Sequence, residues 1–118
     1  MGSIRGRSTR LWRTYAPRHW RRSLARFTLR RRATLDLEAI YLRGVEQFGN
    51  EQAERYAAGF WQTIDFLSRF PRAARLREEV DPPVRAYPYR AHLIVYDVDE
   101  DGIVILRIRH AREDWRDT

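Results

Sequence analysis

Residues 83–110 read PVRAYPYRAHLIVYDVDEDGIVILRIRH, and the architecture turns on this stretch. Two runs rich in β-branched and aromatic residues, 91–98 and 103–110, flank Asp99-Glu100-Asp101-Gly102. An Asp-Gly between such runs is a strong short-range hairpin signal, because Gly102 can take a positive φ without a Cβ clash. Side chains alternate along a strand. Ile94, Tyr96 and Val98 therefore share a face of the first run, and Val104, Leu106 and Ile108 a face of the second. The opposite faces carry Leu93, Val95 and Asp97, then Ile103, Ile105, Arg107 and Arg109. One side is expected to be core throughout, while the other passes from apolar to cationic along the last strand.

Outward from the hairpin, residues 84–87 read as a short strand that Pro88 restricts to an edge or a bulge. Pro82-Pro83 stops any helix, and the polar residues 72–81 are expected to form a loop or one short helical turn. Before them lie two helical patterns. The first is expected over residues 33–48, with Leu37, Ile40, Tyr41, Gly44, Val45 and Phe48 on the core-facing stripe and Asp36 and Glu38 in the first turn, where the helix dipole favours anions. Leu35 and Leu42 fall on roughly the opposite face. The second is expected from Asn50 to about Phe70, ended by Pro71, with a stripe of Ala53, Tyr56, Ala57, Phe60, Ile64 and Leu67. Trp61 flanks that stripe and Phe66 points away from it. Gly49 reads as a left-handed stop and Asn50 as an N-cap, so the two helices should form an antiparallel hairpin. Residues 25–30 alternate as a half-buried strand, with Phe27 and Leu29 inward. The order is β-α-α-β-β-β: an α+β domain with a helical hairpin packed on a mostly antiparallel sheet.

The 118 residues leave room for one domain with one modest core. Cysteine is absent, which excludes disulfides, thiolate metal sites and cysteine nucleophiles. Lysine is absent too, so every cation is arginine and no lysine base or Schiff base is possible. No apolar run approaches a membrane span, so a cytoplasmic protein with no membrane contact is expected. The net charge of +7 suggests nucleic acid until it is located. Residues 1–24 hold seven arginines and no acid, whereas residues 25–118 hold 16 arginines and all 16 acids. The domain proper is neutral in sum, without the usual footprint of a DNA-binding domain. The basic leader, residues 1–24, reads as an arm for nucleic acid or acidic partners, as a targeting peptide, or, by preference, as a poorly ordered extension outside the functional domain.

His19, His92 and His110 have no partner at ligand spacing, so no metal and no cofactor are expected. One constellation could carry chemistry: Arg85, Arg90, Arg107, Arg109, His110, Arg112 and Tyr96 lie on strands that should be neighbours. Arginine forks beside a histidine suit phosphodiester cleavage without a metal. The same pattern also arises when Arg107 and Arg109 simply solubilise an apolar strand and His110 closes it with a hydrogen bond. The apolar Leu35, Leu42, Trp61 and Phe66 exceed what one core-facing stripe needs, which points to a partner segment along the hairpin. Coverage by the sheet and by residues 72–81 would account for them equally.

From residue 25 to residue 114 the chain resembles the RelE/ParE superfamily of bacterial toxins, and most closely its ParE branch. The resemblance is carried by RRATLDLEAIYLRGVEQFG, NEQAERYAAGFWQTIDFLSRFP, VRAYPYRAHLIVY and IVILRIRHARED. It implies the compact sheet with a helical hairpin already read from the pattern. In function it implies a toxin of a type II toxin–antitoxin system, connected with plasmid stabilisation and growth regulation and held inactive by a cognate antitoxin, ParD-like or other. ParE-like members resemble non-enzymatic poisons of DNA gyrase; RelE-like members, the alternative, are ribosome-dependent mRNA endonucleases. Here no lysine supplies a RelE-type cationic cluster and no tyrosine follows the last strand, while His110-Ala111-Arg112 resembles the ParE ending. The resemblance thus implies Arg85, Arg90, Arg107, Arg109, His110, Arg112 and Trp115 as target-binding residues, with Arg85, Arg107, Arg109 and His110 catalytic only under the alternative. Leu35, Leu42, Trp61 and Phe66 become antitoxin-binding, the antitoxin's acids meeting Arg85 and Arg107.

Overall fold

The computed structural model describes residues 3–4, 27–113 and 115. Its elements are β1 (Ser3–Ile4), β2 (Phe27–Arg30), α1 (Arg31–Phe48), α2 (Asn50–Arg69), β3 (Leu76–Arg77), β4 (Val84–Tyr89), β5 (His92–Asp99) and β6 (Gly102–His110). They form one sheet in the order β1-β2-β6-β5-β4-β3, antiparallel except where β2 runs parallel to β6. The fold is α+β, a helical hairpin on a mostly antiparallel sheet. Most of the leader lies outside the described residues; Ser3–Ile4 pairs with β2 at Ser3↔Arg30 and Ile4↔Leu29.

The β5–β6 hairpin forms as the Asp-Gly signal predicts, with Asp99 opposite Gly102 and Gly102 at φ 142°. Its alternation does not hold. Val95 faces Arg107 but Tyr96 faces Ile105, so Leu106 is an extra residue on β6. Side-chain direction has a period of two, and one inserted residue reverses it. Ile103 and Ile105 therefore join Ile108, Ile94 and Tyr96 under the helices, while Leu106 packs on the other side. That other side is a second small core of Val80, Val84, Ala86, Val95 and Trp115, so both faces of the sheet are covered in part.

Helix α1 begins at Arg31, two residues before the expected start, so Asp36 falls in the second turn and the first turn holds no acid. Instead of meeting the helix dipole, the Asp36 carboxylate reaches β6. It accepts from Arg107 Nε at 2.8 Å, from Arg107 Nη2 at 3.1 Å and from the Ile108 N–H at 2.9 Å. Gly49 at φ 89° stops α1 and is also the residue before α2, so Asn50 is the first helical residue and makes no side-chain cap. At the hairpin tip Phe48, expected in the core stripe, is 61% exposed. The α2 stripe holds, with Ala53, Ala57, Phe60, Ile64 and Leu67 buried and Tyr56 partly so. Gly59 sits where a Cβ would collide with the Tyr89 hydroxyl, which donates to the Tyr56 carbonyl at 3.0 Å. In the connection from α2, Leu76–Arg77 pairs with the start of β4 where a loop or helical turn was expected. Pro88 sits in β4 opposite Leu93, past the reach of β3, where the missing N–H costs no ladder bond.

Arg107 and Asp36 are 14% and 17% exposed, so neither charge is well solvated without the other. Asp36→Ala should cost about 2–3 kcal/mol, within the range for charged hydrogen bonds removed at a shielded site. Urea unfolding of the variant, with an unchanged m-value, checks this.

Candidate functional site

The sequence-derived cationic set does not converge on one point. β6 delivers Arg107, Arg109 and His110 in succession, but each is already engaged. Arg107 is held bidentately by Asp36, which keeps its guanidinium more firmly protonated despite the opposing effect of burial. Arg109 donates from Nε and Nη2 to Glu113 at 2.9 and 3.1 Å. The same carboxylate accepts the His110 N–H at 2.8 Å, and His110 Nδ1 accepts the Arg112 N–H at 3.1 Å. Those bonds fold the segment after β6 into a clasp. The His110 N–H, then Arg109, hold the Glu113 carboxyl below the usual carboxylate range.

Arg85 is elsewhere, donating to the Ala74 carbonyl at 2.7 Å. Tyr96 is fully buried, its hydroxyl donating to the Pro71 carbonyl at 2.7 Å, and burial raises its pKa. Trp115, expected to touch a target, is 7% exposed and belongs to the second core beneath Arg77. By contrast Arg90 and Arg112 are exposed, and the Ala111 N–H to Ala91 carbonyl bond of 2.8 Å sets their two turns side by side. Arg90 sits at φ 53° over the Tyr89 ring. The useful cations are thus at the sheet end, where the β4–β5 turn meets the clasp.

Next to that end opens an apolar groove of about 490 Å³ between the hairpin and the sheet, lined by Ile40, Tyr41, Phe48, Tyr56, Phe60 and His92 among others. Tyr56 was expected only as a stripe residue of the second helix and His92 only as a histidine without a ligand partner. The Tyr56 hydroxyl and His92 Nδ1 are hydrogen-bonded at 2.8 Å, and the His92 and His110 rings meet edge to face at 5.3 Å. A regular two-residue hairpin would set His92 opposite Arg109; the bulge moves the register by one residue and brings His110 opposite His92. Burial lowers the His92 pKa, with help from His110 and Arg43; burial likewise raises that of Tyr56. In both cases burial favours the uncharged form.

Of the expected partner-binding residues, Leu35 and Leu42 are 52% and 62% exposed on the outer side of α1. Phe66 is partly exposed against Phe70 and Tyr87. Trp61 corrects the expectation: it is 1% exposed, packs on Phe27, and forms part of the groove floor instead of a surface ridge. A residue that flanks a stripe becomes core when a sheet strand covers the flank. Among the described residues no cluster of histidine or acidic side chains could hold a metal, and no helix is long and apolar enough to cross a membrane.

A lowered His92 pKa means that the unfolded chain binds a proton which the folded chain resists. Stability should therefore be fully present above the ordinary imidazole range and decline as the pH falls from about 7 to about 5. Glu113, with its depressed pKa, stays ionised across that window. Denaturant unfolding across that range should show the decline in the wild type and a flatter profile in His92→Gln.

Residues 27–115 match the family described as the ParE toxin of the type II toxin–antitoxin system parDE. Toxin ParE1 of Mycobacterium tuberculosis, in strain H37Rv and in strain CDC 1551, is 30% identical over 91 residues, which are 76% of this chain and 93% of the relative. A solved structure, the chromosomal ParDE system of P. aeruginosa, superposes with a TM-score of 0.61 at 26% identity, over 70% of this chain and 90% of that one.

Proposed function

Since the chain belongs to the ParE toxin family of type II toxin–antitoxin systems, we propose that it is a toxin that inhibits DNA gyrase by binding and is neutralised by a cognate, ParD-like antitoxin in the cytoplasm. One observation carries the choice of binding over cleavage. The Arg107 and Arg109 forks that a nuclease would turn on a phosphodiester are taken by Asp36 and Glu113, and the Arg112 N–H occupies Nδ1 of the His110 ring. General acid–base catalysis needs a group within reach of the proton it moves and cations free to face the developing charge. What the sheet end offers instead is a rigid clasp with Arg90 and Arg112 projecting beside it, an arrangement suited to charge-assisted contacts with a protein target.

Purified full-length chain should inhibit gyrase supercoiling with no ribosome present, and its induction should break DNA before transcripts are cut. Arg90→Gln and Arg112→Gln should each weaken inhibition about ten- to a hundredfold, the worth of roughly 1.5–3 kcal/mol per charged hydrogen bond. His110→Ala should be mild, since no proton is transferred. Early in-frame mRNA cleavage that His110→Ala abolishes would put the RelE-like alternative in its place.

The antitoxin is assigned to the groove and its exposed rim. Phe48, at the hairpin tip, lines the groove, and Leu42, on the outer side of α1, is likewise large, apolar and open to water. An amphipathic helix laid along α1 would cover them, with acidic residues running toward Arg112. Arg107 is not available for such steering, being held by Asp36. Leu42→Glu and Phe48→Glu should keep the wild-type melting temperature and weaken antitoxin binding at least about tenfold, since each places a charge in a desolvated contact. Thermal melts check the first expectation and calorimetric titration with the antitoxin the second. Unchanged affinity in both variants would remove the groove from the interface.

A further inference from the structure

A second cavity, of about 290 Å³, lies at the opposite end of α1. Arg30, Arg31 and Arg32 line it from the β2–α1 junction and Arg107 from β6; Asp81 is the acid among its lining residues. All three junction arginines are exposed, and none has a carboxylate partner among the described residues. Five other arginines are paired with acids: Arg55 with Glu51, Arg69 with Asp65, Arg75 and Arg77 with Glu79, and Arg109 with Glu113. Arg107 itself uses Nε and Nη2 on Asp36, and its Nη1 is buried with no hydrogen-bond partner. Three adjacent exposed arginines at the mouth of one cavity make a cationic cluster that an anion would complete.

The neutral sum of the domain conceals this end. Asp97, Asp99, Glu100 and Asp101 gather at the β5–β6 turn, where the start of β2 lies beside Ile103, while Arg30 lies at the far end of β2 past Ile105. Charge is thus segregated along the sheet, acidic at one end and cationic at the other.

We propose that this cavity and its arginine rim bind phosphate groups of the duplex DNA backbone. A guanidinium fork matches phosphate oxygens bidentately, and Arg30, Arg31 and Arg32 present three exposed forks side by side. One phosphate at the cavity would leave further forks of Arg30–Arg32 exposed around it, and a backbone supplies the neighbouring phosphates that such a rim needs. Apolar walls from Val84, Val95 and Leu106 suit the carbon face of a sugar. This site uses neither Arg90 nor Arg112 and stands independently of the gyrase reading, because DNA binding is measured with no gyrase present.

The test is fluorescence anisotropy of the full chain with a short labelled DNA duplex, from low to physiological salt. Arg31→Gln/Arg32→Gln should weaken binding about tenfold or more and lower the log–log salt slope by about 1.8, that is about 0.9 for each phosphate no longer neutralised. Arg55→Gln/Arg72→Gln, which removes the same charge at positions away from the cavity, should keep the wild-type affinity and slope. The basic leader is identical in all three proteins and cancels, and thermal melts confirm that each is folded. Equal behaviour of the two double variants, or no binding by the wild type at low salt, overturns the site. A third arm adds inorganic phosphate against chloride at matched ionic strength. Displacement that saturates with phosphate in the wild type, and is abolished in Arg31→Gln/Arg32→Gln, overturns the backbone reading in favour of a free phosphate ligand.

Discussion

Asp36 accepts three hydrogen bonds from two consecutive residues of β6, and the rest of the structure depends on that contact. It falls immediately after the bulge at Leu106, where the strand ladder alone holds β6 least well. By binding both the Ile108 backbone and the Arg107 side chain, one carboxylate fixes the register of the central strand relative to α1. The ends of β6 are then set: Ile103 and Ile105 under the helices, and His110 opposite His92 at the mouth of the groove. Leaving Arg107 unpaired at a site this shielded would be costly, which makes the contact an obligation of the fold and takes Arg107 out of the free cations.

The same reasoning, applied to the other charges, divides the surface by function. Ion pairs along α2 and in the α2–β4 connection are exposed and hold little energy individually. The Arg109–Glu113 pair differs, because Glu113 also takes the His110 N–H and so shapes the segment after β6. Besides Arg43, Arg72 and Arg85, the arginines without an ion pair among the described residues gather at two places, beside the clasp and at the β2–α1 junction. An apolar groove borders the first of these. A groove flanked by unpaired cations shows that a domain with no net charge of its own can still carry local charge at its surface.

Much of this was legible in the residues. Hairpin chemistry at Asp99–Gly102, two 3.6-period stripes with Gly49 between them, and the alternation at Phe27 and Leu29 are local properties, and local physics determines them: allowed φ for glycine, helix period, strand period. The exposure of Leu35 and Leu42 followed from the same periodicity. The neutrality of residues 25–118 needed only counting.

What only the tertiary structure decided were the facts that depend on which elements meet. A bulge adds one residue without any mark in the sequence, so the faces of Val104, Leu106 and Ile108 could not be read from alternation. Trp61 and Trp115 looked available because periodicity describes an element's own faces and says nothing of what packs on their margins; a sheet strand and the second core cover them. Asp36 and Glu113 lie 71 and four residues from the arginines they bind, and no spacing rule distinguishes a carboxylate that will neutralise a cation from one that will face water. Composition determined how much charge this chain has, whereas pairing across the fold determined where that charge is free to act, because an ion pair forms by proximity in space and not in sequence.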